Sequence, residues 1–257
     1  MLQIRNGELG PRVVLLQVLL NRKGASLVVD GVYGAKTQAA VDAFQRSVST
    51  LARSGKVDPP TFNELFRNSR LSIVDVVDVG DPMLARREAN ELRAAGSDPI
   101  ELGLMCNGVG QMISDTLARA SDPIALLRIT GHGNLGRWMT VSVGAPAHLQ
   151  GAAYAELEAE FHSYIDLSHF AQLRGTLARL SGRFARFGSM EHLGCSIGSR
   201  PTSRKLMGLL ADVWKVPVSA GIQTQRSVLN FDGPPFTAYP ANASLKGWST
   251  GFRSSSN

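Results

Sequence analysis

Apolar positions in the first quarter of the chain recur at helical spacing. After Gly10-Pro11, the residues Val13, Leu15, Leu16, Leu19 and Leu20 fall on one stripe, and Pro11 suits the first turn of the helix they predict. Asp30-Gly31-Val32-Tyr33-Gly34 reads as a turn, and Ala40, Val41 and Phe44 restore the helical period between Lys36 and Ser47. A third short helix follows Pro59-Pro60-Thr61 and carries Phe62, Leu65 and Phe66. Residues 1–66 therefore read as a compact three-helix unit, closed by a polar linker over 67–72.

The period then changes. Ile73 to Val79 is a β-branched strand ending at Gly80-Asp81-Pro82, and Met83 to Ala95 is a charged amphipathic helix that stops at Gly96. The same reading gives a strand from Ile100 toward Cys106, a helix from Gln111 to Ala120, and a strand from Ile124 to Thr130. Met139 to Val143 makes a strand in a surface excursion, and Ser168 caps a long helix from Phe170 to Phe187. A strand from Met190 to Gly194, a helix from Thr202 to Trp214 and a strand from Val216 to Ala220 follow. This alternation predicts an α/β unit over 73–235, a mainly parallel sheet between helices. Residues 236–257 are a C-terminal segment whose end beyond Trp248 reads as frayed.

Two strand ends carry the candidate chemistry. Leu126-Leu127-Arg128-Ile129-Thr130-Gly131 leads into His132-Gly133, and Met190-Glu191-His192-Leu193-Gly194 leads into Cys195. Buried parallel strands deliver reactive side chains at their carboxyl ends, where open α/β sheets put their ligand sites. A thiol is a nucleophile as thiolate, and a neighbouring imidazole can take its proton. The pattern therefore proposes a Cys/His dyad of His132 and Cys195. Glutamates at 156, 158 and 160, with His162 and His169, lack metal-ligand spacing and read as a solvated helix face. No metal and no cofactor is expected.

Composition narrows the partners. With 257 residues and 44% apolar content the chain can bury ordinary cores. A net charge of +6 favours anionic surroundings, but no Lys/Arg block marks a nucleic-acid footprint. Two cysteines, Cys106 and Cys195, cannot frame a disulfide-rich fold. The first residues lack the apolar core of a signal peptide, and no window approaches a membrane span. The expectation is a chain made soluble in the cytoplasm, without nucleic-acid or membrane partners, reaching a wall through a specialised secretion system or a phage-tail-like particle.

Residues 1–66 resemble the three-helix peptidoglycan-binding domain found beside many cell-wall hydrolases. The matching positions are Gly7, Gly10, Val13 to Leu20, Val29-Asp30-Gly31-Val32-Tyr33-Gly34, Thr37, Ala40-Val41, Phe44-Gln45 and Gly55-Lys56-Val57-Asp58 with Thr61 and Leu65. That resemblance implies a module that binds wall polymer or serves for docking. Residues 73–235 resemble the caspase-like fold of caspases, metacaspases, gingipains and separase-type and CHAT-type peptidases, on Leu126 to Gly133 and Met190 to Cys195. The resemblance implies an α/β/α sandwich, His132 as general base and acid, Cys195 as nucleophile, and an oxyanion hole from the N–H groups of Gly133 and Cys195. It also makes Arg128, Arg137 and Arg200 candidates for a basic pocket that binds substrate. Gly194 and the continuation Ser196-Ile197-Gly198 depart from the usual caspase surroundings of the cysteine, so substrate preference stays open.

The reading is a bacterial cysteine endopeptidase acting on a peptide or protein substrate, with peptidoglycan as a further partner through residues 1–66. One alternative is a papain-like wall amidase or endopeptidase, with Cys106 preceding His132 or His148, although Cys106 lacks the helix start expected for a thiolate. Another is an inactive caspase-like scaffold that binds a partner.

Overall fold

The computed structural model describes residues 2–80, 82–133, 138–141 and 152–252. Helix α1 (Pro11–Arg22) starts on Gly10, whose φ of 125° only glycine adopts readily, and has Pro11 in its first turn. Helices α2 (Ala35–Ser47) and α3 (Pro59–Phe66) follow, the latter capped by Asp58, whose carboxylate accepts from Thr61 N–H at 2.9 Å. Then come β1 (Ser72–Asp78), α4 (Pro82–Ala94), β2 (Ile100–Leu102), α5 (Gly108–Arg119), β3 (Ile124–Thr130), β4 (Trp138–Thr140), α6 (Ala152–Phe161), β5 (Tyr164–Asp166) and α7 (Phe170–Ala178). The chain continues through β6 (Phe184–His192), α8 (Pro201–Trp214), β7 (Val218–Gly221), β8 (Pro235–Ala238) and α9 (Leu245–Ser249).

Six strands form one sheet in the order β2-β1-β3-β6-β7-β8, parallel except for β8, while β4 and β5 pair as a separate antiparallel ribbon. The mixed α/β, mainly parallel architecture agrees with the sequence reading. Helices α5, α7 and α8 cover one face through Val109, Met112, Ile113, Leu173, Leu177, Leu206, Met207, Leu210 and Trp214. Helix α4 covers the upper part of the other face through Leu92 against Val77 and Leu193. The N-terminal unit packs on it as well, against Ala125 and Leu126 of β3.

That last contact explains a feature of α1. Nearly all its residues are buried, as expected of a helix with apolar material on more than one side. Leu15, Leu16, Leu19 and Leu20 share one core with Tyr33, Val41, Phe62 and Leu65 of their own unit and with Ala125 and Leu126 of β3. The connection after α3 is tied down too: Ser69 O accepts from Arg22 Nη1 at 2.9 Å, and Arg67 O accepts from Lys23 Nζ at 3.4 Å.

A polar row crosses the sheet beneath this contact. Asp75 pairs with Arg128, Arg128 with Glu191, Glu191 with Ser219, and Ser219 with Thr237. Arg128 gives two hydrogen bonds to Asp75, at 2.5 and 2.9 Å. Glu191 accepts two from Arg12 of α1, both at 2.6 Å, and Arg12 also donates to Leu229 O at 2.9 Å and Asn230 Oδ1 at 3.0 Å. Burial opposes charge on Arg12, but the Glu191 carboxylate outweighs it and holds the guanidinium pKa above its ordinary value.

Several element bounds differ from the sequence reading. The expected helix from Phe170 to Phe187 ends at Ala178, because Gly182 turns at φ 77° and Phe184 already belongs to β6. Ser168 does not cap α7; Asp166 Oδ1 accepts from His169 N–H at 2.9 Å, and Ser168 Oγ donates to the other oxygen of Asp166 at 2.8 Å. The sheet runs on to Ala238 through β8. Up to Phe252 the chain stays packed, with Ser249 buried and Phe252 against Trp248 and Phe187; the rest of the segment expected to fray, 253–257, lies outside the described residues. Residues 142 and 143 of the expected Met139 to Val143 strand lie outside the described residues.

Candidate active site

Strands β3 and β6 are parallel neighbours whose final partners are Ile129 and His192, and Leu193 N–H still donates to Ile129 O at 2.9 Å. Counting on equally along both strands brings His132 opposite Cys195. Glycines make that approach close. A β-carbon on Gly133 would lie 2.2 Å from Cys195 O and 2.9 Å from Cys195 N, so the two backbones touch where side chains would otherwise stand. A β-carbon on Gly131 would meet Thr140 Oγ1 at 2.8 Å and Asp78 Cβ at 2.9 Å.

His132 is exposed, and its carbonyl is held by Thr140, from N–H at 3.3 Å and from Oγ1 at 2.8 Å. Cys195 is half-buried and free. Its sulfur accepts the backbone N–H of Gln225 at 3.4 Å and faces Gln225 O at 4.0 Å. The chain then turns through Ser196 in the left-handed region, φ 57°, where Ser196 N–H donates to Gln223 O at 3.0 Å. Gln225 braces the loop over the sulfur: its Nε2 donates to Gln223 O at 2.8 Å, and its Oε1 accepts from Asp232 N–H at 3.1 Å.

The structure therefore gathers His132, Gly133 and Cys195 at one rim. Of the three arginines proposed for a substrate pocket, Arg128 is not there: it has no exposed surface and is engaged with Asp75 inside the sheet. Its charged head in mid-strand needs a buried partner, which removes it from a pocket role. Arg200 is exposed, directly before α8 and a few residues beyond Cys195. Arg137 lies outside the described residues. Cys106, expected to lack a helix start, stands just before α5, whose N-cap is Asn107. It nevertheless follows β2, and β1 lies between β2 and the strand that delivers His132; His148 lies outside the described residues. On α6, Glu156 and Glu160 are exposed, while His162 is turned inward with Nε2 at 2.9 Å from Gln172 Oε1, and His169 Nδ1 sits 3.0 Å from Asp166 Oδ1.

His192 was missed by the sequence reading. It is fully buried at the end of β6, Gly194 N–H donates to its Nδ1 at 3.0 Å, and its Nε2 faces Thr140 O at 3.4 Å. Burial pushes its pKa down to about 4, against a weaker opposite pull from Thr140, so the ring is neutral near pH 7. A signal was present: a histidine inside an apolar strand of a parallel sheet needs partners for both ring nitrogens.

Residues 10–65 match the family model described as "Putative peptidoglycan binding domain". The N-terminal unit is similar to domains of this kind over most of its length. Among solved structures, the chain is similar at 23% identity and a TM-score of 0.24 to a Burkholderia AP3 phage endolysin, over 68% of this chain and 61% of the other. The match thus spans less than two thirds of the endolysin's length. No curated protein matches the chain. No helix among the described residues is long and apolar enough to cross a membrane.

Proposed function

We propose that the chain is a thiol-dependent amide hydrolase directed to the cell wall, cutting peptide bonds of peptidoglycan. The observation that carries the reading is the β3–β6 register, which sets His132-Gly133 against Cys195 at one sheet rim, in a chain whose first domain is of the peptidoglycan-binding type. His132 takes the proton of Cys195, and the sulfur attacks the amide carbon. The N–H groups of Gly133 and Cys195 donate to the oxygen of the tetrahedral intermediate. Collapse expels the amine, which receives the proton from His132 and leaves a thioester. His132 then takes a proton from water, whose oxygen attacks the thioester; the products are a carboxylate and the free thiol. The order of histidine before cysteine on neighbouring strands supports the caspase-like form of this chemistry over the papain-like one with Cys106. Arg200 is the remaining described arginine for an acidic group of the substrate.

Purified sacculi incubated with the wild-type chain should release new amino groups, and Cys195→Ala should release none. Substituting His132→Ala should lower kcat/KM by about 10²–10⁴-fold. Release that persists in Cys195→Ala removes the reading. A peptide library offered in parallel tells whether protein segments are cut instead of wall peptides.

A further inference from the structure

We infer that His192 is a positioning residue for the Cys195 and His132 pair, joining the two halves of the site through its ring; the inference rests on the reading above. The geometry runs through named atoms. Nδ1 accepts the N–H of Gly194, which places the ring proton on Nε2, and Nε2–H then points at Thr140 O. Thr140 in turn holds the His132 carbonyl with its own N–H and Oγ1. The ring thus stands between the peptide preceding Cys195 and the strand that fixes the backbone of His132. Pinning the Gly194 N–H sets the orientation of the next peptide, whose N–H belongs to Cys195 and is the donor assigned above to the developing oxyanion. The fit is close on both sides. A β-carbon on Gly194 would lie 2.5 Å from Cε1 and 2.7 Å from Nδ1 of His192, and 2.9 Å from Gly131 O.

The ring does not need to exchange a proton with substrate. It needs an acceptor where Nδ1 lies. The chemistry therefore makes separable demands on substitutions. Asparagine can place an oxygen near the Nδ1 position, whereas leucine fills the volume and offers no acceptor. Valine at 140 keeps the backbone N–H contact to His132 O and removes the hydroxyl one.

The test uses the full-length chain as wild type, His192→Leu, His192→Asn and Thr140→Val. Four quantities are read: kcat and KM on sacculi, the rate at which iodoacetamide labels Cys195 against Cys106 in the same molecule, and the melting temperature. For His192→Leu, kcat should fall about 100-fold, the loss expected for a displacement of order 1 Å at a reacting group. KM should change less than threefold, a much smaller shift than that in kcat. His192→Asn should recover most of kcat even where its melting temperature is as low as that of His192→Leu. Thr140→Val should lose kcat in the same direction with Cys195 still labelled. Wild-type kcat in His192→Leu, or loss in His192→Asn as deep as in His192→Leu, overturns the positioning role. If His192→Leu does not fold, the Asn and Val variants decide between the same outcomes: full kcat in Thr140→Val together with deep loss in His192→Asn overturns it. Wild-type Cys195 labelling no faster than Cys106, with sacculi uncut, sinks the underlying hydrolase reading, a failure distinct from that of His192 alone.

Discussion

Gly133 shows how much of the site depends on a single hydrogen in place of a side chain. A methyl group there would stand 2.2 Å from a backbone oxygen of Cys195, and backbone cannot rotate away as a flexible side chain can. Gly133→Ala should therefore push the two strand ends apart and cost about 100-fold in kcat, checked by sacculus hydrolysis beside a melting curve. His192 gives a second expectation, in the acid range. Its unfolded pKa near 6.5 falls to about 4 on burial, so between those values the unfolded chain binds a proton that the folded chain does not. Stability from this ring is complete above pH 6.5 and is lost as pH falls toward 4, with a slope approaching about 1.4 kcal/mol per pH unit. Urea melts at several pH values should show that slope, and His192→Asn should flatten it. At this scale the sequence was legible in the glycine after His132, whose missing side chain lets the backbones of Gly133 and Cys195 meet at one rim. It was misleading for Arg128, because a charged residue in a strand looks the same whether it faces a pocket or a buried carboxylate.

Helix α1 and strand β6 meet through the Arg12 and Glu191 pair, buried and joined by two short hydrogen bonds. Removing one partner leaves an uncompensated charge in the interior. Arg12→Met should cost about 3–5 kcal/mol, while Arg12→Met combined with Glu191→Met should recover much of it. Chemical denaturation of the two variants separates these outcomes. The signal for the pair lies in the sequence, since Glu191 interrupts Met190, His192 and Leu193, but no local pattern names its partner far along the chain. Element type was readable wherever period was strong, as in α1, β1, β3 and α8. The stretch from Phe170 to Phe187 failed because leucine and arginine suit helices, and Gly182 alone marks the break before Phe184, Ala185, Arg186 and Phe187 extend. Cap chemistry failed as well: α7 starts from His169 without a side-chain cap, and the Ser168 hydroxyl is taken by Asp166.

Besides the core of the sheet, two smaller cores are shared between parts of the chain. The N-terminal unit contributes Leu15, Leu16 and Leu19 to one that includes Leu126 of β3. The C-terminal segment closes a smaller one, with Phe252 against Val14 and Val29, and Leu245 and Trp248 packed beside it. Thermal unfolding should accordingly be a single transition for both units, with calorimetric and van't Hoff enthalpies in agreement. Two resolved transitions would mean that the shared contacts contribute little. Ending the chain at Ser244 should lower the melting temperature by uncovering Val14, Val29 and Phe187. The sequence divides the molecule by a change of period near residue 72, but periodicity describes faces and not what lies opposite them, and Leu126 of β3 shares a core with the N-terminal unit. The polar row from Asp75 through Arg128 and Glu191 to Ser219 and Thr237 has a consequence for assembly. Its neighbours along the strands, Val74, Leu127, Met190 and Val218, point into the opposite, apolar layer. If β6 slipped by one residue against β3, Glu191 would enter that layer without Arg12, and a misaligned sheet would carry stranded ions costing several kcal/mol. Charge in mid-strand therefore disfavours the slipped register, and the register it favours is the one in which the backbones of Gly133 and Cys195 meet at one rim.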